Sequence, residues 1–366
     1  MKIGFLSKSV YNLSSEGYVN DLLIGAFLSK EPLNQLAVAT SSGKILLIVE
    51  GKVKATLNPK SGSILSLASG PLTSKRPINL IAGDCSGQVT FFLGSQMVSK
   101  VLTSHPVQSL AFVSDIAGNH EIVSGSSLGH LASYHLQNRL WRLTLNDSSI
   151  RTSKLQDFIP LPASKPVHCI FAASLSDNER SAETIYTFAI NGTCDVHMLS
   201  GQHLVLMIRF PKPIITGCKG FFQVKGSKKN HDDTLFASRD GQVYILDSNL
   251  KPQEYVNSAY SIVKLLAYRP KGLPMTAPSF LVITGLSDCI FFYHERAFVQ
   301  ELQVPDWVSS AAVGDLSDQL SATHNFPQGA LTTETLNLFH TQQSYGHFIV
   351  FALADSTIHL FTGTLV

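Results

Sequence analysis

The chain has 366 residues, of which 44% are hydrophobic and 15% are charged, so it has enough apolar material for a large buried core. Its formal net charge of +2 provides no strong field for attracting nucleic acid or an anionic membrane surface. The longest unbroken apolar run, Phe348–Ala354, is far shorter than the roughly 18 residues of a membrane-spanning helix. The apolar segment near the N-terminus, Ile3–Leu6, is too short for a secretory signal. We therefore expect a cytoplasmic protein with no nucleic-acid partner and no direct membrane insertion.

The cysteines are five in number and dispersed, and none forms a C-x-x-C pair. This pattern is typical of reduced, buried thiols in the cytosol rather than of a disulfide framework or a zinc site. The sequence therefore predicts buried side chains without disulfides at Cys85, Cys169, Cys194, Cys218 and Cys289.

One short pattern recurs along the chain: an apolar run, a turn of small or polar residues, and a second apolar-rich run. Its clearest copy is Leu235–Leu246, where Asp240-Gly241 supplies the positive φ of a tight turn between a buried strand and a strand expected to be half exposed. The seven copies are 44, 42, 63, 49, 47 and 68 residues apart. In chain order they centre on Gly43, Gly87, Gly129, Gly192, Gly241, Asp288 and Ser356.

Each copy lies within a longer unit that can be divided into four strands, whereas helical periodicity is nearly absent. The first three units are predicted at 21–28, 35–40, 44–50 and 52–57, then at 63–69, 78–82, 88–93 and 97–102, then at 107–114, 121–124, 130–135 and 139–145. The next three are predicted at 167–174, 185–190, 194–199 and 203–210, then at 214–223, 234–237, 242–246 and 252–256, then at 261–268, 280–284, 289–293 and 297–304.

The seventh unit has three predicted strands, at 309–314, 347–353 and 357–361, and the N-terminal segment Lys2–Leu6 is a strand with no unit of its own. Four strands in about 40–50 residues is the period of a β-propeller blade. Pairing the first strand with the last unit would complete a blade and remove an exposed edge. We therefore predict an all-β, seven-bladed β-propeller closed by its N-terminal strand. Six or eight blades, and a β-sandwich without a fixed period, are the alternatives.

The two longest spacings contain insertions, which we place at about 146–166 and 315–345 within a single propeller domain spanning 1–366. Long polar loops that carry apolar anchors and prolines are typical of docking segments. In and beside these insertions the sequence nominates the partner-binding residues Phe158, Ile159, Leu161, Trp307, Phe326, Leu338 and Phe339. The alternative is that the insertions fold back on the propeller's own surface.

Candidate chemical sites are sparse. The loop with Asp115, Asn119 and Glu121 offers too few carboxylates for the six to eight oxygen ligands of calcium, so we expect a solvated turn. Gly83–Gly87 resembles a nucleophile elbow, but related turns recur in every unit, so it is expected to be a hairpin. Along the innermost strands, Gln108 and Lys264 are the strongly polar residues that we identify. We therefore expect no catalytic residue, no metal, no cofactor and no small-molecule substrate.

A resemblance adds a family hypothesis. The segment Val113–Gly125, VSDIAGNHEIVSG, resembles the FG-GAP repeats of integrin-α propellers through Asp115, Gly118, Glu121 and Gly125. Within that group the chain is similar to the cytosolic FG-GAP-repeat propellers of the KICSTOR complex, most clearly over 235–247 and 279–293. Kaptin-like and BBSome-type propellers are also similar.

The resemblance implies a non-enzymatic scaffold in a complex of several protein subunits, one that recruits the GATOR complex to lysosomes and restrains TOR signalling when nutrients are limiting. The alternatives are a propeller subunit of a trafficking complex such as the BBSome, and a propeller hydrolase with a site at the channel mouth. An inner ring dense in His, Asp and Glu would favour the hydrolase. A smooth apolar ring with apolar peripheral loops would favour the scaffold.

Overall fold

The strands that the structure describes form seven four-stranded antiparallel sheets. The structure is a computed structural model that describes residues 2–28, 31, 33–72, 78–115, 118–145, 165–176, 183–223, 233–274, 276–316 and 348–366. Within these ranges there are 28 strands and one short 3₁₀ helix, Ser14–Glu16. No helix in the described ranges is long and apolar enough to cross a membrane.

Blades 1 to 3 follow one another along the chain, each with its strands in sequence order across the sheet. Blade 1 consists of β2 (Val19–Gly25), β3 (Gln35–Thr40), β4 (Ile45–Val49) and β5 (Lys52–Leu57). Blade 2 consists of β6 (Ile64–Gly70), β7 (Asn79–Asp84), β8 (Gln88–Leu93) and β9 (Gln96–Leu102). Blade 3 consists of β10 (Val107–Ser114), β11 (His120–Ser126), β12 (His130–His135) and β13 (Asn138–Thr144).

Blades 4 to 6 repeat this arrangement. Blade 4 consists of β14 (Cys169–Ser176), β15 (Glu183–Ile190), β16 (Asp195–Ser200) and β17 (His203–Arg209). Blade 5 consists of β18 (Ile214–Gly220), β19 (Asp233–Ser238), β20 (Gln242–Leu246) and β21 (Pro252–Asn257). Blade 6 consists of β22 (Ile262–Tyr268), β23 (Phe280–Gly285), β24 (Cys289–His294) and β25 (Ala297–Gln303).

The seventh blade joins the two ends of the chain. It is made of β26 (Val308–Gly314), β27 (Phe348–Leu353) and β28 (Thr357–Leu365), with β1 (Ile3–Asn12) as its outermost strand. The pairing of β1 with β28 runs from Ile3 opposite Leu365 to Asn12 opposite Thr357. The predicted closure by the N-terminal strand is therefore confirmed, and the strand is longer than the predicted segment.

The first strand of each blade lies innermost, and the seven innermost strands form a closed ring. Each contacts the innermost strand of both neighbouring blades, and β26 of blade 7 contacts β2 of blade 1. The count of seven blades and the all-β class are therefore confirmed.

The hairpin between the second and third strands is held by the first residue of its turn. In blade 2 the Asp84 carboxylate accepts the backbone N–H of Ser86 and of Gln88, at 2.8 and 2.9 Å. In blade 3 the Ser126 hydroxyl accepts the N–H of His130 at 3.0 Å. Such short polar side chains bond their own backbone readily, which favours a turn over a continued strand. Gly83–Gly87 thus lies in a β-hairpin, as predicted.

The core consists of layers of apolar side chains packed between adjacent blades, and β20 contributes to two of these layers. Val243 and Ile245 pack against residues of blade 6, while Tyr244 and Leu246 pack against residues of blade 4. All five residues of β20 are buried. The prediction that this strand is half exposed was wrong, because each blade is covered on both faces by its neighbours.

All five cysteines are described and none forms a disulfide. Cys85, in the turn of blade 2, is exposed, so the prediction of a buried thiol was wrong there, and the other four cysteines are only partly buried. The reason is local: Cys85 occupies a turn that projects from the ring rather than a strand that packs between blades.

Candidate functional site: the hub and the upper face

The innermost strands place one equivalent residue each around the propeller axis. The equivalence follows from register, since each of these residues pairs with the second-strand residue that immediately precedes the hairpin turn. In six of the seven blades a β-bulge lies directly before this position. We call the set the hub ring. It consists of Asp21, Ser66, Ser109, Cys169, Thr216, Lys264 and Ser310.

An ion pair spans part of the hub ring. Lys264 Nζ of blade 6 lies 3.2 Å from Asp21 Oδ1 of blade 1, and 3.4 Å from the hydroxyl of Ser310 in the intervening blade 7. The Ser310 hydroxyl also donates to Asp21 Oδ1 at 3.2 Å. The other carboxylate oxygen, Asp21 Oδ2, accepts the backbone N–H of Leu67 in blade 2 at 2.9 Å. One carboxylate therefore links four consecutive blades.

The thiol in the hub ring is not activated. Cys169 Sγ lies 3.7 Å from the carbonyl oxygen of Gly217, and burial raises the pKa of this thiol above its ordinary value. Burial also raises the pKa of the neighbouring Cys218 thiol. A catalytic cysteine needs the opposite shift, because the thiolate is the nucleophile. The arrangement favours a neutral, structural thiol.

The hub ring differs from the sequence-based picture of the innermost strands. Lys264 is part of it, as its polarity suggested, but Gln108 lies at the bulge before Ser109 and is exposed. Asp21 was missed, although it stands within the first predicted strand. The hub ring is neither the smooth apolar ring that would favour the scaffold nor the ring dense in His, Asp and Glu that would favour the hydrolase, because six of its seven positions carry a hydroxyl or a charge and one of these is a carboxylate.

The FG-GAP-like loop of blade 3 is closed by its own hydrogen bonds. Asn119 donates its backbone N–H to Asp115 Oδ1 and its side-chain amide to Asp115 Oδ2, both at 2.7 Å. Glu121, inside β11, accepts the indole N–H of Trp141 at 3.0 Å. Among the described residues no group of three or more His, Cys, Asp or Glu side chains could hold a metal ion.

The upper face is defined here as the side of the ring that carries the turns between second and third strands and the segments between blades. Its segments are joined by a repeated hydrogen bond. The turn N–H donates to the carbonyl of the residue preceding the innermost strand, from Ser41 to Tyr18 at 2.8 Å and from Ala354 to Trp307 at 3.0 Å. Tyr18 and Trp307 therefore hold equivalent positions in the adjacent blades 1 and 7.

Of the seven nominated partner-binding residues, the structure describes one. Trp307 lies on the upper face with 44% of its surface exposed. The insertions at 146–166 and 315–345 fall almost wholly outside the described residues. So do Phe158, Ile159, Leu161, Phe326, Leu338 and Phe339.

Comparison with known proteins gives likeness at the level of fold. No protein-family profile matches the chain, and no curated protein matches it in sequence. Among solved structures, the chain is similar to BBS1N, crystallised in complex with ARL6DN, with a TM-score of 0.64 at 9% identity over 99% of this chain and 97% of that one. It is also similar to the WD40 β-propeller domain of Doa1, with a TM-score of 0.60 at 11% identity over 98% and 97% of the two chains.

Proposed function

We propose that this chain is a non-enzymatic interaction propeller that acts as a scaffold subunit of a multi-subunit protein complex. The observation that carries the proposal is the composition of β17, the outermost strand of blade 4. From Leu204 to Ile208 it contains five consecutive apolar residues. Four of these, Leu204 to Met207, keep between 41% and 50% of their surface exposed.

The outermost strands of blades 1, 2, 3, 5 and 6 are protected in a way that β17 is not. Each contains a lysine, arginine or glutamate within its length, whereas β17 has charged or titratable residues only at its ends, His203 and Arg209. Charged residues on edge strands oppose pairing with other chains. The interrupting residues are Lys52 and Lys54, Lys100, Arg139 and Arg142, Glu254, and Glu301.

The exposure of β17 extends to both faces of its blade. A β-bulge lies at Val205, and beyond it the successive residues Leu206 and Met207 point to opposite sides, so apolar surface remains exposed on each side of the edge. A long apolar edge of this kind promotes association unless another protein covers it. Coverage by a neighbouring subunit would bury this apolar edge.

The hub supports a non-catalytic role. Asp21 is engaged by Lys264, Ser310 and the Leu67 N–H, so it is poorly placed to take up a substrate proton. The neutral thiol of Cys169 is a weak nucleophile. We propose that the ring of polar side chains holds the blades together rather than binding a small-molecule substrate.

The identity of the complex is proposed from the motif resemblance. We assign the chain to a KICSTOR-like assembly in the cytoplasm, which reaches the lysosomal surface through its partners, recruits the GATOR complex and restrains TOR signalling. The alternative is a trafficking complex of the BBSome type, which the fold likeness to BBS1N supports as far as fold extends. The subunits that co-purify distinguish the two assignments.

The test is affinity purification of the tagged full-length chain from cells, followed by mass spectrometry of the proteins that co-elute. The variant Leu204→Lys with Leu206→Lys should co-purify with fewer subunits and keep the melting temperature of the unmodified chain. The matched control is Met97→Lys with Val98→Lys on the outermost strand of blade 2, where the two residues are similarly exposed. The control should keep both its co-purifying subunits and its melting temperature.

A chain that elutes alone, above all one that turns over a small ester or sugar, would contradict the proposed function. A β17 variant that melts at a lower temperature would show that this chain itself covers the strand. In that case the composition of β17 would not be evidence for a partner protein.

A further inference from the structure

Four large apolar side chains lie exposed on the upper face over blades 6, 7 and 1. Their exposed fractions are 67% for Tyr18, 58% for Leu286, 48% for Tyr260 and 44% for Trp307. We call this set the aromatic quarter. Three of its four members are aromatic, whereas the exposed large residues of the upper face over blades 2 and 3, Leu102 and Leu128, are aliphatic.

The backbone brings these residues into one neighbourhood. Leu286 donates its N–H to the carbonyl of Ser261, the residue after Tyr260, at 3.1 Å. Tyr18 and Trp307 occupy equivalent positions in adjacent blades. The adjacency is direct, since the Ser309 hydroxyl of blade 7 donates to the carbonyl of Val19 in blade 1 at 3.2 Å.

At least one of these side chains is held in place before any partner arrives. The Tyr260 ring stacks on Phe291 with a centroid distance of 4.6 Å and an interplanar angle of 16°. Rigid aromatic side chains lose little conformational entropy on binding, which is why they dominate the energetics of many interfaces.

The segments that form the aromatic quarter carry mainly negative charge. The segments that build it, 13–18, 258–261, 286–288, 304–307 and 354–356, contain four carboxylates and no lysine or arginine. Glu16 is paired with Lys44 at 2.8 Å. Asp288, Asp306 and Asp355 have no lysine or arginine partner in the described part of the chain, although the whole chain carries a net charge of +2.

The blade 5 turn beside Tyr260 carries charges of both signs. Arg239 lies there, with its carbonyl accepting the N–H of Ile262 at 3.1 Å, and Lys212 pairs with Asp240 at 2.5 Å. The three carboxylates without a lysine or arginine partner among the described residues, Asp288, Asp306 and Asp355, lie over blades 6 and 7. A localised charge of this kind selects the partner and its orientation.

We propose that the aromatic quarter binds a peptide segment of a protein partner in which an apolar anchor is flanked by lysine or arginine. The apolar side chain would pack among Trp307, Leu286 and Tyr18, and the cations would face Asp288, Asp306 and Asp355. The proposal rests on the interaction function proposed above and specifies one of its surfaces.

The test uses a phage-displayed library of random peptides, panned on the full-length chain and counter-selected on a Trp307→Ala, Leu286→Ser variant. Enriched peptides should combine lysine or arginine with Leu, Phe, Met or Trp. For a synthetic peptide from this selection, Trp307→Ala should weaken binding about tenfold or more, as for a central interface aromatic. The triple variant Asp288→Asn, Asp306→Asn, Asp355→Asn should weaken binding and reduce its dependence on salt.

Two control variants change similar residues elsewhere. Phe298→Ala removes an exposed aromatic from the outermost strand of blade 6, and Glu254→Gln removes an exposed charge from that of blade 5. Both should leave the affinity unchanged. Because all four residues of the aromatic quarter are exposed, the variants should keep the melting temperature of the unmodified chain. If Trp307→Ala lowers the melting temperature, Leu286→Ser alone replaces it in the binding measurement.

Enrichment of neutral or acidic peptides, equal binding to the variants, or no selected peptide would each overturn this inference. Such a result together with intact co-purification of subunits would leave the proposed function standing. A chain that binds the peptide but purifies alone would instead contradict the proposed function.

Discussion

Lys264 Nζ lies 3.2 Å from Asp21 Oδ1, and this contact joins blade 6 to blade 1 across blade 7. The same carboxylate accepts the N–H of Leu67 from blade 2. Asp21→Ala would leave that N–H and the Lys264 ammonium without their acceptor. We expect a loss of about 2 kcal/mol in unfolding free energy, the usual cost of an unsatisfied buried donor.

The matched variant Lys264→Met should cost less, about 1 kcal/mol or below, since the ion pair is partly exposed and Asp21 keeps its other donors. Glu254→Ala, on an exposed outer strand, provides the control. Urea unfolding measures all three. Equal losses for Asp21→Ala and Glu254→Ala would refute the linking role of Asp21.

The N-terminal strand provides a second prediction because its residues alternate in exposure. Ile3 is buried and the Phe5 ring lies 4.8 Å from that of Phe292, whereas Leu6 is exposed. Ile3→Ala should lower the unfolding free energy by about 2 kcal/mol or more, as expected for a buried aliphatic side chain. Leu6→Ala should change it little. Hydrogen exchange of the β28 amides should become faster in Ile3→Ala only, and equal exchange in both variants would argue against closure by β1.

The third prediction concerns alkaline pH. Burial raises the pKa of Tyr268, whose hydroxyl accepts the N–H of Gly363 at 2.8 Å. In the unfolded chain this phenol ionises near pH 10, while in the folded chain it stays neutral at that pH. Its contribution to stability is therefore complete below about pH 10 and decreases as the pH rises further.

Tyr268→Phe tests this directly. The variant should be less stable than the unmodified chain at pH 7, by about 1–3 kcal/mol, because the Gly363 N–H loses its acceptor. The difference in unfolding free energy between the two proteins should shrink above about pH 10, because only the unmodified chain has the Tyr268 contribution to lose. Thermal unfolding from pH 7 to 11 measures it, and a difference that stays constant or grows with pH would contradict the prediction.

The fourth prediction concerns packing between blades 3 and 4. A Cβ at Gly125 would lie 2.6 Å from both Cβ and Cγ1 of Val167. Gly125→Ala should therefore destabilise the protein by about 1–3 kcal/mol, the typical cost of overpacking. Val167→Ala should offset part of this loss in the double variant. Leu128→Ala, at the exposed turn nearby, is the control, and strictly additive losses would rule out the steric explanation.

Gly125 also shows what a sequence motif can and cannot establish. It belongs to the FG-GAP-like pattern, yet the structure requires a glycine at this position because Val167 from the next blade approaches too closely for a Cβ. The regular turns and the unpaired first strand were sufficient to predict the blade number and the closure. The turns are local features and repeat seven times, and the first strand stands out because no predicted unit contains it.

The features that were missed depend on contacts between blades. Asp21 enters the hub ring because a bulge shifts the register between Val19 and Asp21, and no pattern in the sequence marks that bulge. The complete burial of β20 depends on neighbours 45 to 58 residues away along the chain, such as Phe188 and Phe291. The apolar run in β17 is visible in the sequence, but its exposure is not, because a short apolar run is equally typical of a buried strand.

The central claim is that the chain acts as a subunit held by other proteins, and its native mass in a cell lysate tests this most directly. Size-exclusion chromatography with detection of the tagged chain should place it well above the mass of one chain. The variant Leu204→Lys with Leu206→Lys should shift it to a lower mass. Elution of the unmodified chain at the mass of a single chain would contradict the account.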